Sequence, residues 1–239
     1  MIEVPQALQR NLLAVMLLNA NQALTAHHLI SLVWGDDTAP NGTGSLRTLI
    51  WSLRGLLAPE ERVKREAHGY LLEVQPGELD LDEFRFLAAI GTQALDNGDH
   101  DKAVATLTKA LRLWVEPPLS DVPRRPAMMA TVHKLIEEQR SAREALFVAR
   151  LALGQHRDLL ADLEADTATY PQSERSWEHL MLALYRCGRR AESLEAYQHA
   201  RAYLADNHGI DPGPVLQALQ RQILADDDAL TAGDPSHAW

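Results

Sequence analysis

Apolar residues recur at helical spacing near the start of the chain. Leu8, Leu12, Leu13, Val15, Met16 and Leu17 predict a helix over about residues 6–19 with a wide apolar face. Pro5 sits near its start, where a missing N–H costs nothing. Thr25 offers an N-cap for a second helix carrying Leu29, Ile30, Leu32, Val33 and Trp34, ended by Gly35-Asp36-Asp37. Thr38-Ala39-Pro40-Asn41-Gly42 is rich in turn formers. A third helix is predicted from about Thr43 to Ala58, with Leu46, Leu49, Ile50, Leu53, Leu56 and Leu57 as its buried stripe. After Pro59 the period changes. Arg62 to Val74 holds two short strand-like runs about a turn near Ala67–Gly69, which reads as a β-hairpin. Helix, helix, longer helix and hairpin is the order of a winged helix-turn-helix. There the last helix enters the DNA major groove and the hairpin touches backbone.

Pro76-Gly77 marks a boundary. Beyond it nearly every segment has helical period, at about 82–97, 99–114, 127–153, 156–169, 174–187, 189–207 and 213–225. Leu95-x-x-Gly98, Leu151-x-x-Gly154 and Tyr185-x-x-Gly188 each end a helix, and Gly154 and Gly188 are 34 residues apart, the tetratricopeptide period. Small residues follow twelve positions on, at Ala110 and Ala200, while Asp166 breaks that pattern in the middle repeat. Such hairpins cannot bury their apolar faces alone and stack into an α-superhelix. In an ordinary helical bundle the glycines would be C-caps only. Agreement of the Gly and Ala positions in two copies favours the repeat. The expected fold is therefore mainly α. A winged helix-turn-helix spans residues 1–76, a tetratricopeptide-like α-superhelix 77–226, and a polar, flexible tail 227–239.

Composition narrows the chemistry. One cysteine in 239 residues forms no intrachain disulfide, which points to a reducing, cytoplasmic setting. The apolar run Leu12–Leu18 is too short for a membrane span, and Met1–Pro5 lacks the basic start of a signal peptide. Gly42-Thr43-Gly44-Ser45 has neither the lysine nor the spacing of a phosphate loop and reads as a turn and N-cap. His27 and His28 point about 100° apart on a helix, a poor metal pair. Cys187 reads as a half-buried packing residue, and Trp34, Trp114 and Trp177 as core. No enzyme, cofactor or metal site is expected.

The net charge of −10 argues against a nucleic-acid partner until it is divided. Residues 1–76 hold six basic and seven acidic side chains, and residues 77–239 hold 17 and 26. Within 41–65 there are five basic residues against two acidic ones. On the third helix Arg47, Trp51 and Arg54 share the face opposite the leucine stripe, with Ser45, Thr48, Ser52 and Gly55 alongside. That face is expected to meet bases and phosphates, and Lys64, Arg65 and His68 on the hairpin to meet phosphate. A solvated face carrying two arginines is the plainer alternative.

At these residues the sequence resembles a known family. Leu17-Leu18-Asn19-Ala20-Asn21, His28-Leu29-Ile30, Val33-Trp34-Gly35-Asp36-Asp37, Leu46-Arg47-Thr48, Leu53-Arg54, Leu56-Leu57 and His68-Gly69-Tyr70-Leu71-Leu72 resemble the DNA-binding half of the Streptomyces antibiotic regulatory proteins. Asp80-Leu81-Asp82-x-Phe84, Leu113-Trp114, Pro118-Leu119, Leu180-Met181-Leu182-Ala183-Leu184-Tyr185-Arg186-x-Gly188-Arg189, Ala200-Arg201 and Gly209-Ile210-Asp211-Pro212-Gly213 resemble that family's bacterial transcriptional activator domain. The resemblance covers about residues 6–225. It implies a response-regulator-type winged helix and a tetratricopeptide-like activator domain. It also implies binding to direct repeats in double-stranded promoter DNA, recruitment of RNA polymerase holoenzyme, and control of antibiotic and other secondary-metabolite gene clusters. The acidic domain would offer its surface to polymerase or to a neighbouring subunit, as in a homodimer. Two departures stand out. The family has an antiparallel sheet before the first helix, where about five residues stand here, so one side of that helix is expected to lack its cover. Trp51, Ser52 and Gly55 stand where a small polar and then basic residues are expected, which thins the basic face. An interaction scaffold with a degenerate winged helix is the alternative function.

Overall fold

In the computed structural model, which describes residues 6–35, 42–57, 61–115, 117–120, 122 and 126–231, the three leading apolar patterns become α1 (Ala7–Leu18), α2 (Ala26–Trp34) and α3 (Thr43–Leu56). Their stripes meet in one core, with Leu12, Leu29, Val33, Leu46 and Leu53 wholly buried. Asn11 is also wholly buried, and its Nδ2 donates to the Val33 carbonyl at 2.7 Å, tying α1 to α2. Thr25 caps α2 as expected, accepting from the His28 amide. The cap of α3 is Gly42, at φ +45°, with no side-chain bond. Thr43 and Ser45 therefore lie inside the helix. The expectations for Pro5, for the connection through residues 36–41 and for Ala58-Pro59 lie outside the described residues.

The hairpin forms from β2 (Val63–Glu66) and β3 (Gly69–Leu72), turning at Ala67-His68. A third strand, β1 (Leu24–Thr25), was not expected. It pairs antiparallel with β3, so the sheet runs β1-β3-β2. Two residues carry no period that a sequence pattern can register. The pairing rests on Gly69: a Cβ there would lie 1.8 Å from the Leu24 carbonyl oxygen. A strand glycine here permits close backbone approach.

Packing divides the chain into two units that are not continuous in sequence, in contrast to the single boundary drawn after residue 76. The first holds Met1–Phe86 and Ala110–Arg140. Val122 and Met128 join the winged-helix core within it. The second holds Leu87–Lys109 and Ser141–Trp239. The remaining helices are α4 (Asp80–Asp96), α5 (His100–Leu111), α6 (Pro126–Ala152), α7 (His156–Thr169), α8 (Glu174–Arg186), α9 (Arg190–His208) and α10 (Pro214–Ala225).

The glycine-ended helices of the repeat stop within the second unit, while Ala110 belongs to the first. Helices α4, α6 and α8 end in the same Schellman motif, with Gly98, Gly154 and Gly188 at φ 76°, 74° and 75°. In each, the glycine amide bonds three residues back, and the next amide bonds five back, to Ala94, Arg150 and Leu184. Ala110 and Ala200 are wholly buried twelve residues on. Asp166, at the equivalent position, is buried too, and accepts from the Ser176 hydroxyl at 2.6 Å with Arg143 3.8 Å away. The start of the expected tail is anchored rather than frayed. Asp228–Leu230 form a 3₁₀ turn, Leu230 is buried, and its carbonyl accepts from Arg186 Nε at 2.8 Å. Residues 232–239 lie outside the described residues.

Two substitutions test these contacts by urea unfolding. Gly69→Ala should lower stability by about 1–3 kcal/mol, because β1 must move off β3. Ser176→Ala should cost about 1–3 kcal/mol by leaving Asp166 buried without its hydroxyl donor.

Candidate nucleic-acid interface

The buried stripe fixes which side of α3 faces solvent. Leu46, Leu49, Ile50 and Leu53 point into the core, so Arg47, Thr48, Trp51 and Gly55 point out. Trp51 is 78% exposed, a large apolar surface on a helix that buries Leu46, Leu49, Ile50 and Leu53. Arg47 is exposed and has no hydrogen-bond or ion-pair partner among the described residues. Thr48 is exposed, with its hydroxyl donating back to the Gly44 carbonyl at 3.2 Å. Ser45 is half-buried on the first turn. A Cβ on Gly55 would meet nothing within 4 Å, so packing does not require glycine there.

Two of the expected contacts already hold partners within the protein. The Ser52 hydroxyl accepts from Gln9 Nε2 of α1 at 2.5 Å, so Ser52 joins helices instead of facing DNA. Gln9 is itself buried, a polar side chain on an otherwise apolar face, and only that placement marked it in the sequence. Arg54 keeps an exposed side chain, but its Nε and Nη2 both donate to the Val63 carbonyl, at 2.9 and 2.8 Å. It clamps the hairpin to α3. Its placement opposite the leucine stripe was legible, whereas a side chain-to-backbone bond nine residues away leaves no pattern.

On the hairpin, Lys64, Arg65 and His68 are all exposed. Arg65 has no ion pair or hydrogen bond with a described residue. Lys64 pairs with Glu73 at 2.8 Å, with half of its side chain in solvent. A pair this exposed is worth about 0–1 kcal/mol and yields easily to a phosphate. The geometry thus brings Arg47, Thr48 and Trp51 together on one helix face and sets Arg65 and His68 on the adjoining hairpin.

One side of α1 faces a cleft of about 540 Å3 within the same unit. Arg10, Leu13, Ala14, Leu17 and Leu18 form one wall, and residues from the 79–84 and 113–119 stretches the other. Trp114 stacks edge-on against Phe84 there, with ring centroids 5.1 Å apart. Among the described residues no three His, Cys, Asp or Glu side chains gather as a metal site, and no helix is long and apolar enough to cross a membrane.

Known proteins resemble this chain in sequence and fold. The profile of the bacterial transcriptional activator domain matches residues 79–224. The chain is 39% identical over 223 residues to Regulatory protein AfsR of Streptomyces coelicolor, covering 93% of this chain and 22% of that one. It is 32% identical over 236 residues to Regulatory protein DnrI of Streptomyces peucetius, covering 95% and 87%. The solved structure of Mycobacterium tuberculosis EmbR, in complex with a low-affinity phosphopeptide, superposes with a TM-score of 0.89 at 30% identity, over 98% of this chain and 64% of EmbR. The chain thus spans under a quarter of AfsR and most of DnrI. Helix order, hairpin, repeat glycines and these matches agree, and the chain belongs to the Streptomyces antibiotic regulatory protein family, whose members carry the bacterial transcriptional activator domain.

Proposed function

We propose that this chain is a sequence-specific DNA-binding transcriptional activator of an antibiotic or other secondary-metabolite gene cluster. The observation that carries the reading is the outward face of α3, where Arg47 stands without a protein partner beside the exposed Trp51. In this reading α3 enters the major groove of promoter DNA and offers Arg47 and Thr48 to base edges and Trp51 to thymine methyls or sugars. Arg65 and His68, with Lys64 released from Glu73, hold phosphate. Ser45 lies at the rim of the contact. The acidic second unit repels DNA and offers its surface to RNA polymerase holoenzyme, while two copies occupy direct repeats. The names of AfsR and DnrI, both regulatory proteins, support this class of function.

A second reading, an interaction scaffold that binds DNA weakly or not at all, draws on the inward turn of Ser52 and the pairing of Arg54 and Lys64. Selection of duplexes from a random pool, followed by anisotropy titration at low salt, separates the two. Enrichment of a defined site supports the activator. Binding no better than that of an acidic control protein supports the scaffold.

The arginines should then divide by role. Arg47→Ala should weaken the selected site by about 1–3 kcal/mol and relax the preference at one base. Arg65→Ala should weaken all duplexes alike and lower the salt slope by about one. Arg54→Ala should cost about 1 kcal/mol of folding stability without changing the preferred bases. A changed base preference with Arg54→Ala would return that residue to direct contact.

A further inference from the structure

One pocket of the second unit has no part in reading DNA. It holds about 540 Å3 and is lined by Val148, Glu174, Arg175, Glu178 and His179 together with residues 213–216 at the start of α10. His179 is only 8% exposed, yet it makes no hydrogen bond or ion pair with a described residue. Its one ring contact is edge-on to Phe147, with centroids 6.4 Å apart. Burial lowers its pKa, which favours the neutral ring with one acceptor nitrogen. Its ring nitrogens are not among the sealed, unpartnered polar atoms, so with no protein partner they open to the pocket and stand available to a ligand there.

The neighbouring charges define that partner. Glu178 also has no hydrogen bond or ion pair among the described residues, and burial raises its pKa against the pull of Arg175. Arg175 is already held by Glu144. Glu174 takes only the Gly213 amide, at 2.7 Å. Two carboxylates, Glu174 and Glu178, therefore line the pocket beside one guanidinium whose charge Glu144 already balances, and the excess is negative. An anion is disfavoured there. A purely apolar ligand would leave both His179 and Glu178 unsatisfied. Val148 and Val215, the latter 61% exposed, add an apolar strip beside the charges.

We propose that this pocket binds a cation on an alkyl stem, of the size of an arginine or lysine side chain. The cation sits against Glu178 and Glu174, one of its N–H groups donates to His179, and its methylenes lie along Val148 and Val215. Long basic side chains bury their stems on apolar surface in this way. The inference does not depend on DNA binding by α3.

Titration of the full chain followed through the His179 ring resonances tests it. The probes are N-acetyl-arginine methylamide for a residue in a polypeptide, agmatine for a free amine, and N-acetyl-norleucine methylamide as the uncharged control. A saturable shift with a cationic probe and none with norleucine is expected. Tighter binding of the arginine amide assigns the pocket to a partner polypeptide, and tighter binding of agmatine assigns it to a free amine. Glu178→Gln should weaken binding about tenfold. Val215→Arg, which supplies a tethered cation from an exposed position, should abolish it at an unchanged unfolding temperature, and carries the test if Glu178→Gln does not fold. No saturable shift with either cation, an equal response to norleucine, or undiminished binding in both variants overturns the proposal.

Discussion

The close approach of two backbones sets what the hairpin can do. With no Cβ on Gly69, β1 crosses β3 in the register that opposes Leu24 to Tyr70 and Thr25 to Gly69. That register places the Ala26 amide on the His68 carbonyl at 3.1 Å, so α2 starts from the turn of the hairpin. Asn21, at φ 61°, prolongs the join. Its amide donates to the Leu72 carbonyl, and its side chain exchanges two 3.0 Å bonds with the Val74 backbone. On the other edge Arg54 reaches from α3 to the Val63 carbonyl. A two-stranded ribbon alone is marginal in water. This one is held at both edges, by backbone pairing on one and by the Arg54 side chain on the other, which fixes where Arg65 and His68 stand beside α3.

The second unit depends on a different constraint, the way its helices stop. Three glycines at φ near 75° let three helices end and the chain reverse after the same pair of hydrogen bonds. Asp226 ends α10 with the equivalent bonds at φ 54°, in a region that disfavours residues with a Cβ. Its carboxylate accepts from the Tyr185 hydroxyl at 3.0 Å, a contact that offsets the unfavourable backbone. Ser193, wholly buried, donates to the Met181 carbonyl at 2.7 Å and fixes α9 on α8. Helix ends and a few buried hydroxyls thus set the spacing, and the leucines fill it.

Period, caps and glycines made most of the helices legible, because each is a local property repeated along the chain. The hairpin was legible for the same reason. Asp166 was marked as an exception, and its buried bond to Ser176 shows why the exception is tolerated. What escaped is non-local. Strand β1 exists only because β3 lies beside it, and a hydrophobic pattern cannot report a two-residue pairing with partners as far off in sequence as Leu24 and Tyr70. Among the candidate DNA contacts, the helical wheel placed Arg47 and Trp51 outward correctly. It could not tell that Ser52 would find Gln9 or that Arg54 would find a carbonyl, since a wheel gives direction and not partners. The discontinuous units escaped for the same reason, since contacts across the chain define them.

Charge is where these threads meet. The winged-helix stretch is near neutral, and acids of the same unit occupy part of its positive charge: Glu73 holds Lys64, and Glu78 holds Arg62 through two bonds of 2.8 and 3.0 Å. Arg47 and Arg65 are left open. Each phosphate neutralised adds about 0.9 to the salt slope, so two open arginines supply little non-specific attraction. In the proposed role, one copy must then draw its selectivity from α3 and the shape of the groove rather than from charge. Residence on DNA must come from linkage, because two weak readers held side by side act at a high effective concentration. The acidic second unit fits that division, since a body that repels DNA keeps off-site binding low and leaves the small α3 face to decide where the chain settles.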